Sequence, residues 1–294
     1  MKAHITGYRW EEYGPILPPD LALTLIVGGE YQKYPLPLGS NISLEFTEQR
    51  SCTGYYNPIS PHDWKPCPVR RQNVKKCKRC IYNSGYPCFQ EHLCSNDKPR
   101  CGNFEVYKNL CLRPYHVYLV LIGNLSKIGI THFYRLKTRF IEQGADSASV
   151  ILLEENRMDA AKVEHEILNR FKAFGLREHV PETWWSKHLV PFIKGPDRVD
   201  LDNFEKLTED IKDWLIRKKY KVPRIEKFTQ NDFYYPSETE VNLEKVTYTD
   251  SLSKMKGRIV FLKGPIVVCR SDEELIAYNL NDLQGRFVEV DEYE

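Results

Sequence analysis

Eight of the nine cysteines of this 294-residue chain fall between positions 52 and 111, where proline and glycine punctuate and no helical or strand periodicity persists. A segment with so few other core-forming residues cannot hold itself by apolar burial, so its cysteines must cross-link or bind something. Cys77 and Cys80 make a C-x2-C knuckle, a spacing that lets two thiolates of one tight turn reach the same tetrahedral ion at about 2.3 Å. Cys52, in Cys52-Thr53-Gly54, and Cys67, in Pro66-Cys67-Pro68, sit in turn-forming contexts and supply a second pair. Cys52, Cys67, Cys77 and Cys80 are thus expected to form one closed zinc site. Cys88, Cys94, Cys101 and Cys111 follow at intervals of six, seven and ten residues, without another C-x2-C. They read as a second four-thiolate site, for zinc or an iron–sulfur cluster, with unliganded buried thiols as the alternative. His62 and His92 lie inside the clusters as substitute ligands, and Cys269, at the end of an apolar strand, reads as core.

The redox setting follows from what else the chain lacks. No run approaches the roughly 20 apolar residues that span a bilayer. Arg9, Glu11 and Glu12 also come too early for a signal peptide. The expectation is a soluble cytoplasmic protein with no membrane partner, in which thiols stay reduced and bind metal. Because 42 basic residues nearly balance 40 acidic ones, any nucleic-acid surface must be local. From Trp64 to Cys80 the chain has basic residues and no acid. Arg70, Arg71, Lys75, Lys76, Lys78 and Arg79, displayed on a metal-held loop, are the candidate phosphate-binding set. A solvated face that binds nothing is the alternative.

The periodicities predict an α+β chain of four segments: a β module over 1–50, the cysteine-rich segment over 51–112, an α/β module over 113–195, and a helix with a β module over 196–294. Strands are expected at Leu21–Val27 and Ile42–Phe46. Between His116 and Phe174 the order is strand, turn at Gly123-Asn124, strand, helix to Gln143 stopped by Gly144, strand at Ser149–Leu153, and helix Arg157–Phe174. An amphipathic helix over Leu201–Arg217 and strands at Arg258–Leu262, Ile266–Cys269 and Arg286–Val290 complete the pattern.

One residue breaks it. In the helix Arg157–Phe174 the apolar stripe runs through Ala160, Ala161, Ile167, Leu168 and Phe171, and Glu164 falls inside it. An ionised carboxylate buried there calls for a cation, either Arg139 or a divalent metal, unless it escapes at the stripe's margin. Glu164, Arg139 and the strand residue Tyr118 are the ingredients of phosphodiester hydrolysis: a metal ligand, a cation for the pentavalent phosphate and a hydroxyl that orients water.

His116-Val117-Tyr118, then Lys127-Ile128-Gly129, Arg139 on the next helix and Glu164 on the one after, resemble the GIY-YIG nuclease superfamily in order and spacing. Lys127-Ile128-Gly129-Ile130-Thr131 and Glu142-Gln143-Gly144-Ala145, with the cysteine pattern upstream, resemble an uncharacterised family that joins such a module to a cysteine-rich region. The resemblance implies a metal-dependent endonuclease with Tyr118, Lys127, Arg139 and Glu164 as catalytic residues, magnesium or manganese at Glu164, and DNA or RNA as substrate. It departs at Lys127, where the superfamily has a tyrosine, and at Gln143, where many members have His or Tyr. A catalytically silent nucleic-acid-binding module, acting in a ribonucleoprotein or other protein complex, is the alternative. The four catalytic candidates are expected to converge on one side of the sheet, covered by both helices.

Overall fold

The structure is a computed structural model and describes residues 2–11, 19–57, 64–84, 107–181, 184–222, 226–229, 237, 245–249, 253–272 and 274–289. Its strands in chain order are β1 (Lys2–Glu11), β2 (Asp20–Val27), β3 (Glu30–Pro35), β4 (Asn41–Arg50), β5 (Tyr55–Tyr56), β6 (Trp64–Lys65), β7 (Tyr115–Ile122), β8 (Leu125–His132), β9 (Ser147–Glu154), β10 (Lys227–Thr229), β11 (Val246–Tyr248), β12 (Lys254–Lys263), β13 (Ile266–Ser271), β14 (Glu274–Asn279) and β15 (Arg286–Glu289). The helices are α1 (Lys78–Asn83), α2 (Leu136–Gln143), α3 (Arg157–Phe171), α4 (Trp184–Lys194) and α5 (Arg198–Arg217). The fold class is α+β.

The chain forms two units: Met1–Tyr86 with Tyr235–Glu294, and Pro87–Tyr234. The first holds a nine-stranded sheet in the order β11-β14-β13-β12-β4-β15-β1-β2-β3. Strand β4 alternates buried Ile42, Leu44 and Phe46 with outward polar residues, the pattern of a sheet with one face on a core. The second half of β12, Ile259–Lys263, and the first four residues of β13 are buried, and the two strands are joined at Gly264-Pro265. The strands expected near both ends of the sequence therefore belong to one sheet. Strands β1 and β14 were not anticipated, because Gly7 and the polar residues of the first and the short span of the second blur their alternation.

The second unit is a four-stranded sheet, β10-β9-β7-β8, with helices on both faces. Strand β7 is buried along nearly its whole length, as a central strand covered on both sides must be. On one face Val117, Leu119 and Leu121 pack with Ile128, with Val163 and Ile167 of α3, and with Phe204, Leu207, Ile211 and Leu215 of α5. Helix α5 thus belongs to this unit, not to the C-terminal strands with which the sequence reading grouped it, and the boundaries expected at 112 and 195 give way to those of the two units. On the other face Phe140 of α2 meets Tyr118 edge-on, with ring centroids 5.2 Å apart.

Local signals fix the helix ends. Gly144 takes the left-handed conformation (φ 71°) that closes α2. The Asn156 side chain accepts the Asp159 N–H and so caps α3. Asp197 caps α5 in the same way through Asp200.

Candidate functional site: a four-thiolate centre and a buried lysine

In the first unit Cys52, Cys67, Cys77 and Cys80 are buried, with their sulfurs all within 4.8 Å of one another. The Cys67 and Cys77 sulfurs are 3.8 Å apart. A tetrahedron with metal–sulfur bonds of about 2.3 Å has edges of about 3.8 Å, whereas a disulfide would bring the sulfurs to about 2.05 Å. The loop is folded to make this set. Gly54 (φ 76°) lies so close to the Lys65 carbonyl that a Cβ would sit 2.2 Å from its oxygen. Cys80 rides on the first turn of α1, which begins after Cys77. The N–H of Cys77 points at the Cys52 sulfur, 3.1 Å away.

Burial alone would raise the Cys67 thiol, but the N–H groups of Arg71 and Val69 and the neighbouring Cys52 and Cys80 bring it down to about 6. Cys80 is pushed up by burial and by the other sulfurs. Four thiols crowded this closely repel as thiolates, and a divalent cation such as zinc is the partner they call for. Among the described residues this is the one group of His, Cys, Asp or Glu arranged to hold a metal. Of the second expected set, Cys111 is buried in the second unit, at the end of the turn Tyr107–Cys111. Cys88, Cys94 and Cys101, with His62 and His92, lie outside the described residues.

The basic residues around the first centre divide in two. Arg70, Arg71, Lys78 and Arg79 are exposed. Lys75 is tied to the far end of the chain, by 3.3 Å to the Asn281 carbonyl and 3.8 Å to Asp282. Lys76 is drawn inward, its pKa lowered by burial against the pull of Cys52 and Cys80. A divalent ion on four thiolates leaves a net charge of about −2, which an ammonium at Lys76 offsets. Lys76 is therefore drawn toward the thiolate centre, whereas Lys75 keeps 41 % of its side chain open to solvent while contacting Asn281 and Asp282.

In the second unit the candidates assemble around Lys127. Tyr118 is 1 % exposed, and its ring lies over Gly129 on the paired strand, where a Cβ would come within 2.6 Å of the Tyr118 oxygen. Gln143 Nε2 donates to that oxygen at 2.6 Å. Arg139, one helical turn before Gln143 and on the same face of α2, pairs with Glu142 at 3.2 Å, and Glu142 also holds Arg135 at 2.9 Å. Burial opposes the Arg139 charge, but the Tyr118 oxygen and the Glu142 carboxylate outweigh it and raise the pKa. The side chain is recessed among its neighbours and keeps 43 % of its surface open to solvent.

Lys127 is 9 % exposed and its pKa is lowered, chiefly by burial. Arg139 acts in the same direction, while Tyr118, Glu164 and Glu178 favour the ammonium. Glu164 is 5 % exposed. The four candidates thus share one electrostatic neighbourhood, although not in the way expected. The helices bearing Arg139 and Glu164 cover opposite faces of the sheet, and Lys127 on the edge strand β8 joins them.

Glu178 is a residue the sequence reading missed. A parallel bridge between Lys127 and Arg177, with the Ile128 N–H donating to the Arg177 carbonyl at 2.9 Å, lays this segment along the edge of β8. No periodicity marks it. Gln143 was legible in principle, since its spacing of four from Arg139 puts both side chains on one face.

Residues 39–285 match the family described as a protein of unknown function (DUF2797). The chain belongs to that family. The match spans both units of this DUF2797 protein, the thiolate centre and the Lys127 cluster included. No curated protein and no solved structure matches the chain. Among the described residues no helix is long and apolar enough to cross a membrane.

Proposed function

We propose that this protein binds nucleic acid and that its second unit is a GIY-YIG-like module working as a divalent-metal-dependent endonuclease. The observation that carries the reading is the buried Lys127, its proton loosened chiefly by burial, within electrostatic reach of Tyr118, Arg139 and Glu164. A buried lysine is costly, and this one lies near Arg139, whose side chain is partly open to solvent and could meet a phosphate.

In this reading a water oxygen attacks phosphorus, one phosphorus–oxygen ester bond breaks, and the water proton passes to the Lys127 amine, which takes the part the superfamily gives to a tyrosine. Tyr118, fixed by Gln143, orients the water, and Arg139 balances the charge gathering on the pentavalent phosphate. Glu164 and Glu178 would hold magnesium or manganese. Hard carboxylate oxygens, one or two in number, suit an ion that keeps waters and takes its remaining ligands from phosphate. Bound there, the ion supplies Lewis acidity.

The thiolate centre of the first unit, with all four positions filled by sulfur, supports structure and leaves no position for a reacting water. A second metal on Cys88, Cys94, Cys101 and Cys111, and a cytoplasmic setting that keeps the thiols reduced, belong to the same proposal. The exposed Arg70, Arg71, Lys78 and Arg79 hold phosphates.

The test is incubation of zinc-replete protein with end-labelled DNA and RNA, with and without added magnesium or manganese, beside Glu164→Ala. Metal-dependent cleavage lost in Glu164→Ala supports the enzyme. Binding without cleavage under every metal gives the silent module instead, a reading favoured by the short Gln143 bond that already engages the Tyr118 hydroxyl.

A further inference from the structure

Beyond β8 the chain turns outward at Phe133 and Tyr134, which are 50 % and 62 % exposed, more open than large aromatic residues normally are. The two rings meet at 5.5 Å, and Tyr134 lies 4.0 Å from the ring of His132, which is itself 7 % exposed and also contacts Tyr115. This backing holds the aromatic pair in place. The Phe133 N–H donates to the Pro114 carbonyl, two residues after Leu112, which is 48 % exposed.

Along the chain on either side of the pair, basic residues predominate. From Val106 to Ile141 the sequence contains no acidic residue and six basic ones, Lys108, Arg113, Lys127, Arg135, Lys137 and Arg139. Arg113 and Arg135 are close enough to His132 to lower its pKa, after the effect of burial, so the imidazole adds no charge at neutral pH. Arg135, which immediately precedes α2, and Arg139 within it form a row that starts at the aromatic pair and ends in the Lys127 cluster, with Glu142 bridging both.

We infer that Phe133 and Tyr134 are a stacking platform for unpaired bases next to the scissile phosphate, so that the substrate is single-stranded or carries an unpaired stretch at the cleavage point. Aromatic faces beside guanidinium groups match the alternation of base and phosphate along a single strand. In a duplex the base faces are already stacked on one another and unavailable to such a platform. An apolar peptide would use the aromatic pair but gain nothing from the arginine row. This inference rests on the nucleic-acid reading of the second unit and specifies its substrate class.

The experiment measures equilibrium binding by fluorescence anisotropy in the Glu164→Ala background, so that cleavage is not needed. The probes are a labelled single-stranded oligodeoxynucleotide, the RNA of the same sequence and the blunt DNA duplex. Phe133→Ala with Tyr134→Ala is expected to weaken single-strand binding by about tenfold or more while duplex binding stays within about twofold. Phe133→Tyr with Tyr134→Phe is expected to restore it. An equal loss on single strand and duplex, or no loss on the single strand, overturns the platform while leaving the nuclease reading intact. Failure of the parent protein to bind any of the three probes overturns both, and an apolar peptide that binds in a Phe133-dependent manner then identifies a protein-docking surface in their place.

Discussion

Replacing Gly129 by alanine tests the Tyr118 cluster through packing alone. The added methyl would lie 2.6 Å from the Tyr118 oxygen and 2.7 Å from Cζ, well inside contact distance. The ring cannot swing away, because it is 1 % exposed, wedged against Phe140 and hydrogen-bonded to Gln143. Overpacking of this kind costs about 1–3 kcal/mol, and loss of the Gln143 bond adds about 1 kcal/mol. The better strand propensity of alanine returns about 0.5–1 kcal/mol. The net expectation is a destabilisation of about 2 kcal/mol, read as faster hydrogen exchange of the β7 and β8 amides. In a Tyr118→Leu background the same change should cost little, a non-additivity of about 1 kcal/mol or more in the double-mutant cycle. A cost below about 0.5 kcal/mol in the parent, or an equal cost with and without the tyrosine ring, would refute the contact.

Elemental analysis of the purified protein should find about two zinc ions per chain, with Cys80→Ser removing one; a ratio near one would leave Cys88 to Cys111 without metal, and iron would point to a cluster. Replacing Arg70, Arg71, Lys78 and Arg79 by alanine should weaken nucleic-acid binding and reduce its salt slope by about 0.7–0.9 per lost phosphate contact. Lys75→Ala should instead act on stability by up to about 1 kcal/mol, since its partners are Asn281 and Asp282 at the protein's own surface, and an unchanged melting curve would contradict that role. The folded pKa of Lys127 lies below its unfolded value, so the penalty of charging it is full below the folded pKa and is relieved as pH rises toward 10.5. Cleavage should accordingly rise with pH through a midpoint below 10.5, and in metal-free protein Glu178→Gln, which removes a carboxylate that favours the ammonium, should move the Lys127 titration followed by NMR to lower pH; an upward move would contradict the assignment.

The elements most legible in the sequence are those whose pattern was local. The uniform apolar run of β7, the Gly144 stop of α2 and the Asn156 start of α3 each follow from residues within one turn or one strand. Glu164 stood out because it breaks an apolar stripe, and Cys77-x2-Cys80 because its spacing matches a tetrahedral ion. The features that escaped depend on partners far apart in the chain. Nothing around Lys75 signals that Asp282 will hold it, and nothing around Glu178 signals the bridge that brings it to Lys127. The two faces of the second sheet were also hidden, because alternation tells which residues of β7 share a side but not which helix covers it.

The order of strands in the first unit has a consequence for synthesis. β15, the last of the described strands, lies between β4 and β1, and the Ser51 N–H donates to the Gly285 carbonyl. The nine-stranded sheet therefore cannot close until residue 289 has left the ribosome, whereas the whole of the second unit is available from residue 234. During that interval the edges of β1 and β4 stand unpaired beside the newly made cysteines, a state open to strand addition by other chains and to oxidation. A chain cut before Arg286 would keep a complete second unit and carry two half-sheets with bare edges. Such a truncation should be recovered as aggregate even though every proposed catalytic side chain is present.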